Sequence, residues 1–205
     1  MTNHPKYEQI LDALQNLMES RSIQSISVSE IAQTAGMGKG SIYYYFPSKD
    51  AILDALIERN YEKPLETAKT LAGQTEISPF TRMAMIFQAC RSSSSEFLRQ
   101  EEKEPVSLTG AQEHAFIHQK YMAHLISELK PVLAEIIRQG IDSGEIHFSD
   151  PAALAEIVLI VLTVKLDNTL VPSSRDGIEG TMRALVSLLE KGTENPAGSL
   201  NFLTA

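Results

Sequence analysis

One stretch of the chain constrains its fold more than any other: residues 27–49, which read SVSEIAQTAGMGKGSIYYYFPSK. Ser27 and Glu30 have the spacing of a capping box, in which each side chain bonds the backbone N–H of the other residue at the start of a helix. Gly36 is suited to ending that helix, because glycine adopts the left-handed conformation without a Cβ penalty. A second short helix follows, from about residue 39 to residue 46. Two helices joined by a glycine-containing turn predict a helix-turn-helix, whose second helix lies in the DNA major groove.

The second helix of this motif carries side chains that suit contact with nucleic acid. Lys39 is a cation near its start, and the Ser41 hydroxyl can bond a base or a phosphate. Successive residues of a helix are about 100° apart, so the tyrosines at 43–45 cannot all be buried. The next helix opens with Ser48 and Lys49, whose backbone amides and ammonium predict a second anion site. The residues predicted to contact DNA are Ser27, Gly38, Lys39, Gly40, Ser41, Tyr43, Tyr44, Ser48 and Lys49.

Several short strings between residues 7 and 56 form a specific pattern: Ile31-Ala32, Ala35-Gly36, Lys39-Gly40-Ser41-Ile42-Tyr43, Tyr45-Phe46 and Ser48-Lys49. This pattern resembles the N-terminal DNA-binding domain of TetR-family transcriptional regulators. The resemblance implies a three-helix DNA-binding unit and a helical C-terminal domain that dimerises and usually binds an effector. The later segment IIRQGIDSGEIHFSDP also resembles the C-terminal half of many members. The chain departs from the family at Gly38, where members often have Ser or Thr, so this position offers only its backbone N–H.

Composition and charge restrict the function further. The 205 residues are 43% hydrophobic and 21% charged, as is typical of a soluble globular protein. The sequence contains no run of 18 apolar residues, so no transmembrane helix is expected. The single cysteine and the absence of a signal-peptide pattern indicate a cytoplasmic protein. The net charge of −8 argues against binding nucleic acid by bulk charge. Residues 1–60 carry five basic and seven acidic side chains, but residues 31–49 contain two lysines and no acid, which predicts a small basic face.

Apolar periodicity predicts an all-α fold of about nine helices. The domains expected are a helix-turn-helix domain at 1–48, an effector-binding and dimerisation domain at 49–192, and a loose tail at 193–205. Pro64 and Pro131 are expected to kink or divide the long helices that contain them. Residues 152–170 are apolar almost all round, so this helix is expected to be buried on both sides, the second side against another subunit.

The last two long helices are therefore predicted to form a symmetric four-helix bundle in a homodimer. The residues predicted at this interface are Leu154, Ile157, Val158, Val161, Met182, Leu185 and Leu189.

Helices five to seven carry methionines and aromatic residues that suit either a plain core or a pocket for a small apolar or amphipathic effector. The family resemblance favours the pocket, whose predicted residues are Met83, Phe87, Cys90, Phe97, His118, Tyr121 and Met122. Cys90 lies on an apolar stripe and is expected to be buried and unreactive. His114 and His118 have the spacing of a metal-binding pair, but no cysteine or carboxylate completes the site, so no metal and no cofactor are expected.

Two classes of function remain open. The first is a ligand-responsive DNA-binding regulator, in particular a repressor, that binds a pseudo-palindromic operator as a dimer. The second is a helical adaptor with a weakened DNA-binding domain that acts through protein partners, which the acidic residues of 1–60 and Gly38 favour. The sequence shows no nucleophile–base pair, paired carboxylates or phosphate-binding glycine loop, so no enzyme is expected.

Overall fold

The computed structural model describes residues 5–99, 108–167 and 173–204, without the side chains of residues 91–99, 108–115, 118 and 166–167. Within these ranges the chain forms eight α-helices, two 3-10 turns and no strand, which confirms the predicted all-α class. The helices are α1 (Pro5–Met18), α2 (Val28–Thr34), α3 (Lys39–Tyr45), α4 (Lys49–Ala72), α5 (Pro79–Arg99), α6 (Leu108–Asp142), α7 (Pro151–Asp167) and α8 (Arg175–Gly192). The 3-10 turns are Ile23–Ser25 and Asn201–Leu203. In the part of the chain so described, no helix is both long and apolar enough to cross a membrane.

Neither internal proline divides its helix. α4 continues through Pro64 and α6 continues through Pro131, each as a single helix. A proline inside a helix costs about 3 kcal/mol, because it removes one backbone hydrogen bond and clashes with the preceding turn. Buried apolar residues on both sides of each proline, such as Tyr61 and Leu65 in α4 and Leu129 and Leu133 in α6, offset that cost by packing.

The chain divides into two compact units. The N-terminal unit comprises Met1–Glu62 with Ser94–Tyr121, and the C-terminal unit comprises Lys63–Ser93 with Met122–Ala205. The division falls within α4, whereas the sequence analysis placed a boundary at residue 48. The first half of α4 belongs to the N-terminal unit because it contacts α1. Arg59 on α4 forms ion pairs there with Glu8 at 3.2 Å and with Asp12 at 2.7 Å.

The N-terminal unit is built around three short helices and the start of α4. α1 packs on α2, and α2 packs on α3. Each helix contributes branched apolar side chains at helical spacing, and these side chains form one core. The core includes Ile10, Leu11, Leu14, Ile31, Ile42, Ile52, Leu53 and Leu56.

In the C-terminal unit a buried arginine ties three helices together. Arg82 on α5 is only 1% exposed, and its Nη1 donates to Gln139 Oε1 on α6 at 2.6 Å. The same nitrogen donates to the carbonyls of Leu71 and Ala72 at 3.4 and 3.3 Å. These carbonyls close α4 and lack partners within the helix, so the guanidinium caps the negative end of the helix dipole.

Residues 193–204 are packed, which corrects the expectation of a loose tail. α8 ends in a Schellman motif, in which the Asn195 N–H donates to the Glu190 carbonyl at 2.8 Å and Glu194 adopts a φ of 55°. Leu200 and Leu203 then bury their side chains in the C-terminal unit. The sequence pattern does not reveal this packing, because Leu200, Phe202 and Leu203 lie among polar and small residues without a helical period.

Glu194→Gly is expected to raise the free energy of unfolding by about 1 kcal/mol. A residue with a Cβ pays roughly that much for the left-handed conformation, and glycine does not. As a control, Lys191→Gly places glycine in the exposed last turn of the same helix and is expected to cost roughly 0.5–1 kcal/mol. Urea denaturation of both variants measures the two effects, and losses of equal size would contradict the conformation of Glu194.

Candidate nucleic-acid interface

The predicted capping box and glycine turn are confirmed. The Glu30 N–H donates to Ser27 Oγ at 3.2 Å, and the Ser27 N–H donates to Glu30 Oε2 at 2.8 Å. Gly36 has a φ of 66°, and the Met37 N–H donates to the Ala32 carbonyl at 2.9 Å, which is the bonding of a Schellman motif. Together these bonds fix where α2 begins and ends, and so the direction in which the chain enters α3.

A salt bridge that the sequence analysis did not identify reinforces the start of α2. Arg21 donates from Nη1 to Glu30 Oε1 at 2.6 Å and from Nη2 to the Ser25 carbonyl at 2.8 Å. The Arg21 hydrogen bond, followed by the bonds from Ser27, lowers the pKa of Glu30 to about 2. Arg21 and Glu30 are nine residues apart and belong to no local motif, so only the folded loop between α1 and α2 brings them together.

α3 has one buried and one exposed face. Ile42 is fully buried and Phe46, just after the helix, is 4% exposed and packs on the Tyr7 ring with a centroid distance of 4.8 Å. On the opposite side Tyr44 is 83% exposed and Tyr43 is 49% exposed. The prediction that the tyrosines cannot all be buried is therefore confirmed, and the side chains of Tyr43 and Tyr44 lie on the exposed face.

The start of α3 is equally open. Lys39 and Gly40 are exposed and Ser41 is half-buried. Gly38 occupies the N-cap position without a side-chain hydrogen bond, as its missing side chain predicts. A Cβ atom built on Gly38 or Gly40 would meet nothing within 4 Å, so the protein leaves space here for a flat surface to approach the backbone.

Lys49 occupies a different environment from the one that the sequence predicts. Its Nζ donates to the carbonyls of Ile23 at 2.6 Å and Ile26 at 2.9 Å, and the side chain is half-buried. These bonds tie the loop before α2 to the first residue of α4. They argue against Lys49 as a phosphate ligand, because its ammonium already serves the fold. Ser48 caps α4, accepting from the Ala51 N–H at 3.1 Å.

The comparisons with known proteins bear on both parts of the chain. A family model for bacterial regulatory proteins of the TetR family matches residues 10–56, and a model for a tetracycline-repressor-like C-terminal domain matches residues 99–187. Together the two models span about two thirds of the chain. The chain belongs to the TetR family.

Individual TetR-family relatives are similar over a short region. The transcriptional regulator EthR of Mycobacterium tuberculosis is 40% identical over 63 residues, which are 31% of this chain and 29% of EthR. The transcriptional repressor NemR of Escherichia coli K12 is 38% identical over 60 residues, 29% of this chain and 30% of NemR. The matched region thus spans less than a third of these curated relatives.

A solved structure extends the similarity of fold to nearly the whole chain. SmeT, the repressor of the multidrug efflux pump SmeDEF of Stenotrophomonas maltophilia, superposes with a TM-score of 0.67 at 18% identity. The match covers 94% of this chain and 92% of SmeT. SmeT has also been solved in complex with triclosan.

The predicted effector residues of this TetR-family chain do not converge on one site. Met83 and Phe87 line an apolar cavity of about 40 Å³ in the C-terminal unit. Tyr121 instead packs edge-to-face on Tyr61 in the N-terminal unit, with a centroid distance of 6.0 Å. Met122 is half-buried and is not among the cavity residues. The side chains of Phe97 and His118 lie outside the described residues.

Cys90, also predicted in the pocket, does not line this cavity. Its predicted burial is confirmed, because its side chain is 8% exposed. Burial raises the pKa of the thiol to about 11, which keeps it in the unreactive protonated form at neutral pH. No group of three or more His, Cys, Asp or Glu side chains that could hold a metal occurs in the described part of the chain.

The predicted dimer residues divide into a buried and an outer set. Leu154, Met182 and Leu189 are buried within a single chain, which argues against direct contact with a partner, since this core already covers them. Val158, Val161 and Leu185 are half-buried, and Ile157 is half-exposed. Ile160 and Leu188 are not among the predicted interface residues, although they are 45% and 70% exposed. The helical period shows which residues share a face, but not which face the chain covers itself.

Acidification is expected to remove the contribution of Glu30 to stability. Its folded pKa, about 2, lies below the ordinary value of 4.5, so this contribution is complete above pH 4.5 and is lost as the pH falls through about 2. The difference in unfolding free energy between the natural chain and Glu30→Gln should therefore shrink between these two pH values. Denaturant titrations at several pH values measure it, and a constant difference would contradict the Arg21–Glu30–Ser27 network.

Proposed function

We propose that this protein is a sequence-specific DNA-binding transcriptional regulator that acts as a ligand-responsive repressor on a pseudo-palindromic operator. The observation that carries the proposal is the outward face of α3, where Lys39, Tyr43 and Tyr44 are exposed while Ile42 and Phe46 hold the helix in the core. Membership of the TetR family supports the same function, since the relatives EthR, NemR and SmeT are a transcriptional regulator and two repressors.

Few groups are proposed to contact DNA, and each has a distinct role. Lys39 binds a phosphate, Ser41 bonds a base edge or a phosphate, and the exposed tyrosines bond phosphates or pack on sugars. Gly38 and Gly40 let the backbone approach closely, and the Gly38 N–H is a donor. Ser27 and Ser48 use their oxygens to cap helices, but both are exposed and their hydroxyl hydrogens can still donate to phosphate. So few phosphate contacts predict modest affinity for one DNA-binding domain.

Modest affinity at one site favours a dimer, in which two DNA-binding domains act together. We place the interface on the outer stripe of α7 and α8. Ile157, Ile160 and Leu188 expose large apolar side chains there. Val161 and Leu185 are half-buried beside them at helical spacing and extend the same stripe. Exposed apolar stripes of this kind are typical of subunit interfaces.

The effector is proposed to be a small apolar or amphipathic molecule that binds the C-terminal unit of a cytoplasmic protein. The complex of SmeT with triclosan, together with the shared fold, supports this class of ligand. An effector releases DNA only if it binds one conformation of the protein more tightly than the other. α4 contributes residues to both units and is therefore the segment proposed to carry the change.

A protein adaptor is the second candidate. The excess of acidic over basic side chains in residues 1–60 and the missing side-chain cap at Gly38 favour it, because both weaken attraction to phosphate. This candidate predicts an intact dimer that enriches no DNA sequence.

Selection from a pool of random double-stranded DNA at moderate salt tests the proposed function. Recovery of a palindromic sequence is expected, with half-sites spaced by the two recognition helices of a dimer. If the folded dimer enriches no sequence, the adaptor replaces the regulator as the conclusion.

The recovered sequence then separates the roles of two lysines. Lys39→Met should lower the slope of log affinity against log salt by about one for each DNA-binding domain, because a phosphate contact is lost. Lys49→Met should weaken binding while leaving the slope unchanged, because its ammonium bonds the carbonyls of Ile23 and Ile26 instead of DNA. A lower slope for Lys49→Met would return this lysine to the phosphate contacts.

Leu188→Glu and Ile157→Glu are each expected to dissociate the dimer. Two-fold symmetry places each new carboxylate twice in an apolar interface, so the dissociation constant should rise at least roughly 100-fold. Met85→Glu on α5 is the matched control, because Met85 is similarly exposed but lies off the proposed stripe. Sedimentation at several concentrations measures the three variants, and a dimer that survives both stripe variants would exclude this interface.

A further inference from the structure

The C-terminal unit contains an apolar cavity under its last residues. The cavity has a volume of about 40 Å³ and is bounded by α5, α6, α7, α8 and the segment that follows α8. The helical residues that line it include Phe87 and Leu154. From the C-terminal segment, Leu200, Phe202 and Leu203 line it. Among the described residues that line it, none is charged, and the polar ones are Thr193 and Asn195.

Water gains little in this cavity. A water molecule needs only about 10–15 Å³ of such space, but it also needs two to four polar partners. Thr193 Oγ1 already bonds the Leu189 carbonyl at 2.7 Å and Asn195 Oδ1 at 2.6 Å. Asn195 Nδ2 donates to the Glu145 carbonyl at 2.7 Å. The space is therefore large enough for water but chemically suited to an apolar occupant, and burying a charged one would be costly.

A short segment, residues 198–204, covers the cavity and is held in place by its own contacts. We call this segment the C-terminal lid. The Phe202 ring stacks on the Phe87 ring with a centroid distance of 6.2 Å and an angle of 27°. One carboxylate oxygen of Glu190, a residue only 7% exposed, accepts from the Gly198 N–H at 2.8 Å and from the Leu200 N–H at 3.1 Å. Two backbone hydrogen bonds to a buried charge and one aromatic contact thus hold the lid down.

We propose that this cavity is a binding site for a small uncharged aromatic molecule and that the C-terminal lid opens to admit it. The Phe202 ring stands where the ligand ring would pack on Phe87, so the lid and the ligand compete for one apolar surface. When Phe202 swings out, the free space grows by about one phenyl ring. Glu190 sets the fraction of molecules in which the lid is open, and that fraction scales the apparent affinity.

A connection between this site and DNA release rests on the proposed function. The site itself is independent of it, because the walls and the lid all belong to the C-terminal unit.

Benzene titrated into the full-length chain, followed by methyl NMR, tests the site. Saturable shifts are expected at the methyl groups of Leu154 and Leu203, and none at Leu14 or Ile42 in the N-terminal core. Ala155→Leu fills the cavity and should abolish the shifts, whereas Ala152→Leu on the exposed side of the same helix should not. Val158→Leu is the substitute if Ala155→Leu does not fold. No saturable shift at Leu154 and Leu203, or equal binding by the cavity-filling variant, would overturn the site.

The lid is tested by Glu190→Ala, with Glu179→Ala as the exposed control on the same helix. Loss of the buried acceptor should raise the apparent affinity for benzene about tenfold and speed hydrogen exchange at the Leu200 N–H. Equal affinity in Glu190→Ala and the natural chain would overturn the lid. The selection from random DNA distinguishes the failure of this proposal from the failure of the proposed function. A protein that binds benzene but enriches no DNA sequence supports the site and rejects the regulator.

Discussion

The proposed DNA contacts depend on a helix that is too short to be stable alone. α3 has seven residues, and isolated helices shorter than about 12–15 residues are marginal in water. Ile42 and Phe46 supply its stability by packing in the core of the N-terminal unit, and this packing determines that Tyr43 and Tyr44 face outward. The capping box and Schellman turn of α2 fix the direction from which the chain enters the helix. The recognition surface is thus a consequence of tertiary packing at two apolar positions.

Hydrogen bonds from two cationic side chains stabilise the segments next to α3. The Lys49 ammonium joins the loop before α2 to the start of α4, and Arg21 joins the same loop to Glu30 on α2. Both cations lie close to the surface proposed to contact DNA, yet both are engaged within the protein. This distinction matters for a chain whose first 60 residues carry more acidic than basic groups. The basic side chain on α3 itself is Lys39, so affinity and salt dependence are expected to follow the number of DNA-binding domains that bind together.

In the C-terminal unit two charged side chains that bond backbone groups are buried. The Arg82 guanidinium bonds the last carbonyls of α4 and Gln139 on α6, which ties one end of α4 to the core of this unit. The Glu190 carboxylate bonds two backbone N–H groups and holds the C-terminal lid over the apolar cavity. Buried charges that bond backbone groups are strong when their partners are in place and costly when they are not. Arg82 therefore stabilises the end of α4, and Glu190 stabilises the closed position of the C-terminal lid.

The sequence by itself determined the elements whose causes are local. The capping box of Ser27 and Glu30 and the left-handed Gly36 depend on neighbours within a few residues, so spacing alone predicts them. The family pattern, also a matter of spacing, identified the helix-turn-helix and its place in the chain.

Only the tertiary structure decided the contacts between distant residues. Lys49 is a residue type that commonly binds phosphate. Its neighbours in the sequence do not show that the carbonyls of Ile23 and Ile26 accept hydrogen bonds from it. Leu154, Leu188 and Leu189 are all helical leucines, but the fold buries Leu154 and Leu189 and leaves Leu188 exposed. The packed C-terminal lid was hidden for the same reason: its partners, Phe87 and Glu190, are defined by the fold and not by the pattern of residues 198–204. Local hydrogen bonding is encoded by sequence spacing, whereas burial and long-range pairing depend on which surfaces the whole chain brings together.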